Sequence, residues 1–363
     1  MIVSCFEGAA AVAQSPAFAV KDAEWFDVNR PGWRTRPGTR LFCSSMLFVD
    51  GPGHQRVRRV VSAALAPNRM RDLERRIRDL TVRQLDALAG HSAHEVVDLR
   101  RHFTLSVPLQ VACALIGVPP EDGELLHSWV RPLLGLLDPV GNVRSLRHCD
   151  AAAVSLAAYL SDLLEARCAR GRPDLATDVA RARSEGRLGR DEAEAALVLA
   201  AAAAFETTAV LLENAVSALC GLPEQIPEIT YSTGAAVAAV NETLRYDPPV
   251  QLFTRVARKE AVIGGLRLLP GEEVLVLLAA AQRDPARFAH PDDFDLHRPP
   301  CGVLSFGGGA HYCLGAALAR LEARILLPAL LRRFPRLRPA GTPTGNGRIT
   351  MRGWTDFPVT LAP

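Results

Sequence analysis

The sequence predicts a mainly α fold with a minor β part. Apolar residues recur at helical spacing over much of the first two-thirds of the chain. After Asp247 the pattern changes to short alternating runs separated by Pro and Gly. The 363 residues are 48% apolar and 22% charged, ordinary for a globular protein with a large core. This composition excludes a disordered chain, a coiled coil and a small disulfide scaffold. The net charge of +3 is too small to imply a nucleic-acid partner. Lys21 and Lys259 are the only lysines among 42 basic residues, which fits arginine-favouring coding better than a binding surface.

The elements follow in order. The N-terminal segment lacks a basic n-region and is interrupted by Glu7, so no signal peptide is expected. Met70, Leu73, Ile77, Leu80, Leu85 and Leu88 form one face of a helix over Arg69–Ala89. Further helices are expected near Phe103–Ile116, Leu125–Leu137 and Ala151–Ala169, with Asp138-Pro-Val-Gly-Asn142 between the last two. Asp191 is placed to cap a long helix running to Gly221, roughly 45 Å at 1.5 Å per residue. Its centre, Ala195–Phe205, is apolar on all sides, as in a buried core helix. No uncharged apolar run reaches the ~20 residues that span a bilayer, so no membrane partner is expected.

Pro248-Pro249 stops a helix. Ala261–Leu269 and Val274–Leu278 read as strands, with Gly264-Gly265 and Pro270-Gly271 as turns. A loop rich in Pro and Gly leads to Gly309, a helix follows over Ala316–Arg333, and Ile349–Leu361 reads as a terminal hairpin. With no repeat and no low-complexity linker, residues 1–363 are expected to form a single domain.

Eight cysteines, at 5, 43, 113, 149, 168, 220, 301 and 313, include no C-x-x-C pair and fit neither a zinc site nor a disulfide framework. Reduced thiols are expected, with at most one in a special role. Cys313 stands out. It lies in Phe306-Gly-Gly-Gly-Ala-His311-Tyr-Cys313-Leu-Gly315, directly ahead of a helix. Backbone N–H groups and the positive end of the helix dipole favour a thiolate there, and a thiolate is a soft ligand for iron. Glycines let backbone approach a flat ligand, Phe306 can shield the sulfur, and His311 can reach a carboxylate at the ligand's edge. Cys301 has no matching context.

This segment, Phe-x-x-Gly-x-x-x-Cys-x-Gly, resembles the haem-thiolate loop of the cytochromes P450. The resemblance implies haem b as cofactor, with Cys313 as axial iron ligand and Phe306, Gly307, His311 and Gly315 around it. Glu242-Thr-Leu-Arg245, the chain's one E-x-x-R, resembles the family's structural pair, with Arg298 as its third member. His54-x-x-x-Arg58 and Arg255 resemble the residues that bind haem propionates. Ala203-Ala-Phe-Glu206-Thr207-Thr resembles the oxygen-activating segment, which makes Thr207 and Glu206 the catalytic proton relay. Ala204 stands where the family usually has Gly. Gln282-Arg-Asp-Pro285 and Arg352-Gly-Trp-Thr extend the likeness through nearly the whole chain. Ile2–Val20 resembles the family's second strand and following helix, so the expected fold is that of the family lacking its N-terminal helix and first strand.

The resemblance places substrate against Glu24–Phe48, Leu125–Arg147, Phe205, Val250, Leu252, Phe253 and Trp354, a mostly apolar lining. It implies a monooxygenase that uses O2, a ferredoxin-type donor with its reductase, and a sizeable apolar substrate in specialised metabolism, in the cytoplasm. Arg56, Arg59, Arg320 and Arg324 are candidate contacts for an acidic donor. A peroxide-driven peroxygenase is an alternative, but those relatives carry Arg and Pro where Glu206 and Thr207 stand. A P450-like partner protein without catalysis is the other alternative.

Overall fold

The computed structural model describes residues 1–92, 95–139, 143–169, 171–299 and 302–361. The predicted Asp138–Asn142 break lies partly outside them, as does Cys301.

The chain starts with β1 (Ile2–Val3), α1 (Phe6–Gln14) and β2 (Phe18–Ala19). Short helices α2 (Ala23–Asn29) and α3 (Pro37–Cys43) lead to α4 (Gly51–Ala63) and α5 (Pro67–Ala89). Both α4 and α5 start with a proline in the first turn, where its missing N–H costs no helix bond. β3 (Val96–Asp98) precedes a π-helical turn over Arg100–Thr104, and α6 (Ser106–Ile116) continues from it. The helix expected near Phe103–Ile116 is therefore wider at its start.

α7 (Gly123–Leu133) tightens into a 3-10 turn over Leu134–Leu137 just after Pro132, which removes a helix N–H. α8 (Val143–Ala169) begins earlier than its apolar pattern predicts. α9 (Leu175–Ser184) is capped by Asp174, whose side chain accepts from the Thr177 amide at 2.8 Å.

The long central helix is present as two segments, α10 (Arg190–Ala203) and α11 (Glu206–Cys220). Its cap is Gly189 rather than Asp191. Glu192 reaches back and accepts from the Gly189 amide at 2.9 Å. Arg190–Cys220 is long and apolar enough to cross a membrane by length and composition alone, but 72% of its most apolar window is buried inside the fold. That is the signature of a core helix.

α12 (Ile226–Tyr231) and α13 (Thr233–Tyr246) complete the helical part before the β region. There β4 (Leu252–Ala257), the hairpin β5 (Ala261–Ile263) and β6 (Leu266–Leu268), and β7 (Glu273–Leu277) follow one another. After α14 (Leu278–Ala281), a 3-10 turn over Gly309–His311 precedes α15 (Ala316–Arg333), β8 (Arg338–Pro339) and β9 (Pro358–Thr360). One sheet has the order β1-β7-β4-β2, with β1 parallel to β7. The predicted terminal hairpin forms with wider bounds: β8 pairs antiparallel with β9 and Gly345 bridges Trp354, so its first arm starts before Ile349. β9 lies between β3 and β8, while Met351 bridges to Val250.

Three apolar clusters hold these elements. The first gathers α3, α4 and α6–α10 around Phe205, Leu133 and Leu156. The second packs α5, α11, α13 and α15 around Ile77, Leu212 and Leu326. The third seats α1 on the sheet. The break in the central helix falls at the boundary of the first two clusters.

Ile77 is fully buried at the core of the second cluster, whereas Val82 on the same helix is 59% exposed. Ile77→Ala is expected to lower unfolding free energy by about 2–5 kcal/mol, with Val82→Ala within about 0.5 kcal/mol of wild type. Urea unfolding of both variants checks this.

Candidate functional site

Cys313 ends the loop before α15. Its amide donates to the Phe306 carbonyl at 2.9 Å, closing the loop on itself. Burial pushes the thiol pKa up, while the amides of Gly315 and Ala316 and the charges of Arg58 and Arg320 pull it down. The surrounding chain encloses the sulfur, yet the residue is exposed to a water-sized sphere. Both hold at once when a side chain faces an internal hollow.

Gly307 and Gly309 have φ of +70° and +60°. A Cβ on Gly308 would sit 3.0 Å from Gln14, and one on Gly309 2.9 Å from the Ala13 carbonyl. Packing against α1 therefore also requires glycine at 308 and 309. Phe306 lies under the Arg320 guanidinium at 4.2 Å.

The same signature marks the middle of the central helix. Ala203 is exposed and Ala204 and Thr207 are half-buried, although Ala201, Ala202 and Phe205 are buried. Ala204 and Leu314 pack on the same core cluster, so the open helix face and the cysteine loop border one part of the interior. Thr207 Oγ1 donates to the Ala203 carbonyl at 3.1 Å across the break. Phe205, with φ −130°, departs from helical geometry there.

Glu206 is buried in a charge network that the sequence reading did not foresee. Arg100 donates from Nη2 to Glu206 at 2.5 Å and from Nη1 to both oxygens of Glu213 at 3.0 and 3.1 Å. His127 Nε2 bonds Glu206 at 2.9 Å, and Thr104 donates to Glu213 at 2.7 Å. Burial works against the charge of Glu206, but His127 and Arg100 outweigh it and hold the pKa at about 2. Glu213 has the greater burial and shares one guanidinium with a carboxylate already ionised, so its pKa is pushed up to about 7. Glu206 and Glu213 lie seven residues apart on one face of an apolar helix. That spacing was the available signal.

Cations gather beside the cysteine loop. Arg58 donates to the Tyr312 carbonyl at 2.8 Å. His54 is buried with its ring 4.4 Å from that of His311. Burial, with the charges of His311 and Arg58, lowers the His54 pKa to about 4. His311 Nε2 is held by Asp50 at 2.7 Å, and Asp50 also accepts from the Val20 amide and Arg258. Arg255 makes no ion pair among the described residues. Its side chain donates to its neighbour's carbonyl and stacks 4.9 Å from the Phe253 ring. Burial lowers its pKa, with only the charge of Asp50 in partial compensation.

Glu242 and Arg245 form a buried pair at 2.7 and 2.9 Å, and Arg298 joins Glu242 at 3.1 Å. Gln282, fully buried, donates to the Leu244 carbonyl and Ser305 and accepts from the Leu304 amide. It ties the end of α13 to the cysteine loop.

Of the expected lining residues, Phe205 and Leu252 are buried, and Val250, Phe253 and Trp354 are half-buried. Trp354 packs on the second cluster against Phe357, while Met351 lies in the first cluster with Phe205. A separate cleft of about 1210 Å³ between α5, α6 and α8 contains none of these residues.

The arrangement combines one soft sulfur on an exposed cysteine, two arginines, Arg58 and Arg255, without carboxylate partners among the described residues, and a small-residue gap in a helix. This donor set suits a large, flat, metal-bearing anion.

A family model described as cytochrome P450 matches residues 235–344. The biotin biosynthesis cytochrome P450 of Bacillus subtilis (strain 168) is 36% identical over 295 residues, covering 81% of this chain and 74% of the relative. Cytochrome P450 107B1 of Saccharopolyspora erythraea is 36% identical over 336 residues, covering 91% and 79%. The crystal structure of P450BioI with hexadec-9Z-enoic acid ligated acyl carrier protein superposes with a TM-score of 0.91 at 31% identity, covering 99% of this chain and 91% of that one.

Two outcomes follow from the buried charges. Glu242→Ala leaves Arg245 buried and unpaired and is expected to cost about 3–5 kcal/mol in urea unfolding. For Glu213, the folded chain retains a proton between pH 4.5 and about 7 that the unfolded chain releases. Stability should therefore fall as pH rises through that window. Glu213→Gln should flatten the fall, read as urea midpoint against pH.

Proposed function

Because the chain belongs to the cytochrome P450 family, whose members are haem-thiolate monooxygenases, we propose that Cys313 is the axial ligand of its haem and that the Thr207 break faces the oxygen side. The chain is an oxidoreductase of that family, and haem is its cofactor. Bound haem supplies the redox and oxygen chemistry. The residues present fit it. Cys313 is enclosed but open toward a hollow, and Arg255 is an enclosed cation lacking an ion-pair partner among the described residues. Cys313, an exposed residue in a loop closed by its own amide on Phe306, is the observation that carries the reading.

Arg58, Arg255, His54 and His311 would hold the propionates. Asp50 keeps the His311 ring oriented. Phe306, with Arg320 on its face, screens one side of the sulfur from water. Thr207 holds a hydroxyl proton against the Ala203 carbonyl, and release of that bond would free Oγ1 to donate. Glu206 stays ionised, so protons reach it from outside the helix. His127, half-buried and bonded to it, stands on that route. Ala204 narrows the gap beside Thr207 by one methyl.

We read the substrate as a sizeable apolar molecule, tailored in specialised metabolism, and the electron source as a ferredoxin-type donor with its reductase in the cytoplasm. The fatty acid carried in the solved relative supports an apolar chain. Arg59 and Arg324 are exposed and available to an acidic donor, whereas Arg56 pairs with Glu192 and Arg320 covers Phe306.

The purified protein, reduced under carbon monoxide, is expected to show the strongly red-shifted Soret band of thiolate ligation. Cys313→Ala should abolish it. Persistence of the band in Cys313→Ala, or no haem band in the parent protein, would refute the assignment.

A further inference from the structure

Two guanidiniums in this protein stand in opposite states. Arg245 spends all of its side-chain nitrogens on described acceptors. Arg348, also drawn into the fold, spends one, on the Arg131 carbonyl. Arginine carries five N–H donors, so most of those of Arg348 meet no acceptor among the described residues.

Arg348 lies on the 346–351 turn, which closes over the end of α7. Thr350 Oγ1 donates to the Leu137 carbonyl at 2.8 Å, and the Ile349 and Thr350 amides donate to Asp138 Oδ1 at 3.1 and 2.8 Å. Asp138 is thus engaged with backbone and makes no ion pair with Arg348. Met351, three residues on, sits in the cluster with Phe205 and bridges to Val250. A Cβ on Gly135 would lie 3.0 Å from Arg348 Nη1, so glycine there leaves room for the guanidinium.

Among the described residues no carboxylate forms an ion pair with Arg348. Burial lowers the pKa of Arg348, with the charges of Asp138, Glu206 and Cys149 in its favour and Arg131 against it. Arg131 is exposed and its side chain has no described partner. Two cations therefore meet at the end of α7, beside the turn that carries Met351 into the cluster with Phe205. A bound anion would relieve both the desolvation and the repulsion.

We infer that Arg348, assisted by Arg131, binds the carboxylate of the substrate, so that the substrate is an apolar free acid held by its charged end at the end of α7. The inference rests on the substrate reading above and narrows it to a chemical class.

The test uses the haem-loaded protein and a matched pair of probes, dodecanoate and uncharged dodecanamide, with affinities measured by titration calorimetry. Wild type should prefer the acid by about tenfold or more, and the preference should shrink in high salt. Arg348→Gln should reduce the preference to below about twofold while leaving amide affinity unchanged, and Arg348→Lys should restore part of it. Arg131→Gln, on an exposed side chain, should cost the acid about threefold and serves if Arg348→Gln fails to fold. No acid preference in wild type, or equal weakening of both probes in Arg348→Gln, would overturn the inference. The carbon monoxide spectrum of the same samples separates the two readings. A normal Soret band without acid preference sinks the anchor alone, and acid preference without a thiolate band sinks the haem assignment alone.

Discussion

The Glu242–Arg245 pair is the constraint on which the rest is built. Arg245 is almost wholly buried, so each of its donors must find an acceptor or cost free energy. It finds them in Glu242 and in the carbonyls of Gln282, Pro291 and Asp293. Those carbonyls lie in a segment with little regular structure of its own. One helix side chain thus fixes the path of the irregular chain that leads to the cysteine loop. Gln282 continues the job by bonding Leu304 and Ser305.

A second set of buried charges organises the opposite side. Arg100 joins the π-turn before α6 to two carboxylates on α11. One guanidinium cannot satisfy two full charges equally in a low-dielectric interior. The pair therefore separates into one carboxylate held ionised by His127 as well, and one that carries its proton near neutrality. The break between α10 and α11 lies at the ionised one. The helix distortion and the buried charge network therefore meet at Glu206.

Much of this was legible in the sequence. Periodic apolar residues such as Leu73, Ile77 and Leu80 predict α5 because burial of a helix face leaves its period in the chain. Cys313, Glu242 and Thr207 were legible through short motifs whose spacing is fixed by local geometry. What escaped is what depends on distant partners. Arg100 meets Glu213 across 113 residues, and Asp50 meets His311 across 261. Neither has a local pattern. The glycines before Cys313 were visible, but the contact with α1 that explains two of them was not, because α1 is nearly three hundred residues away in the chain. The first arm of the terminal hairpin and the pairing of β9 with β3 were not legible, because alternation does not name a partner.

Asp50 also has a kinetic meaning. Its carboxylate gathers the Val20 amide, Arg258 and His311, three groups separated by most of the chain. Loops of that length close slowly, and their contacts form only after the intervening elements have packed. The cysteine loop is therefore among the last parts of the molecule to reach its final shape.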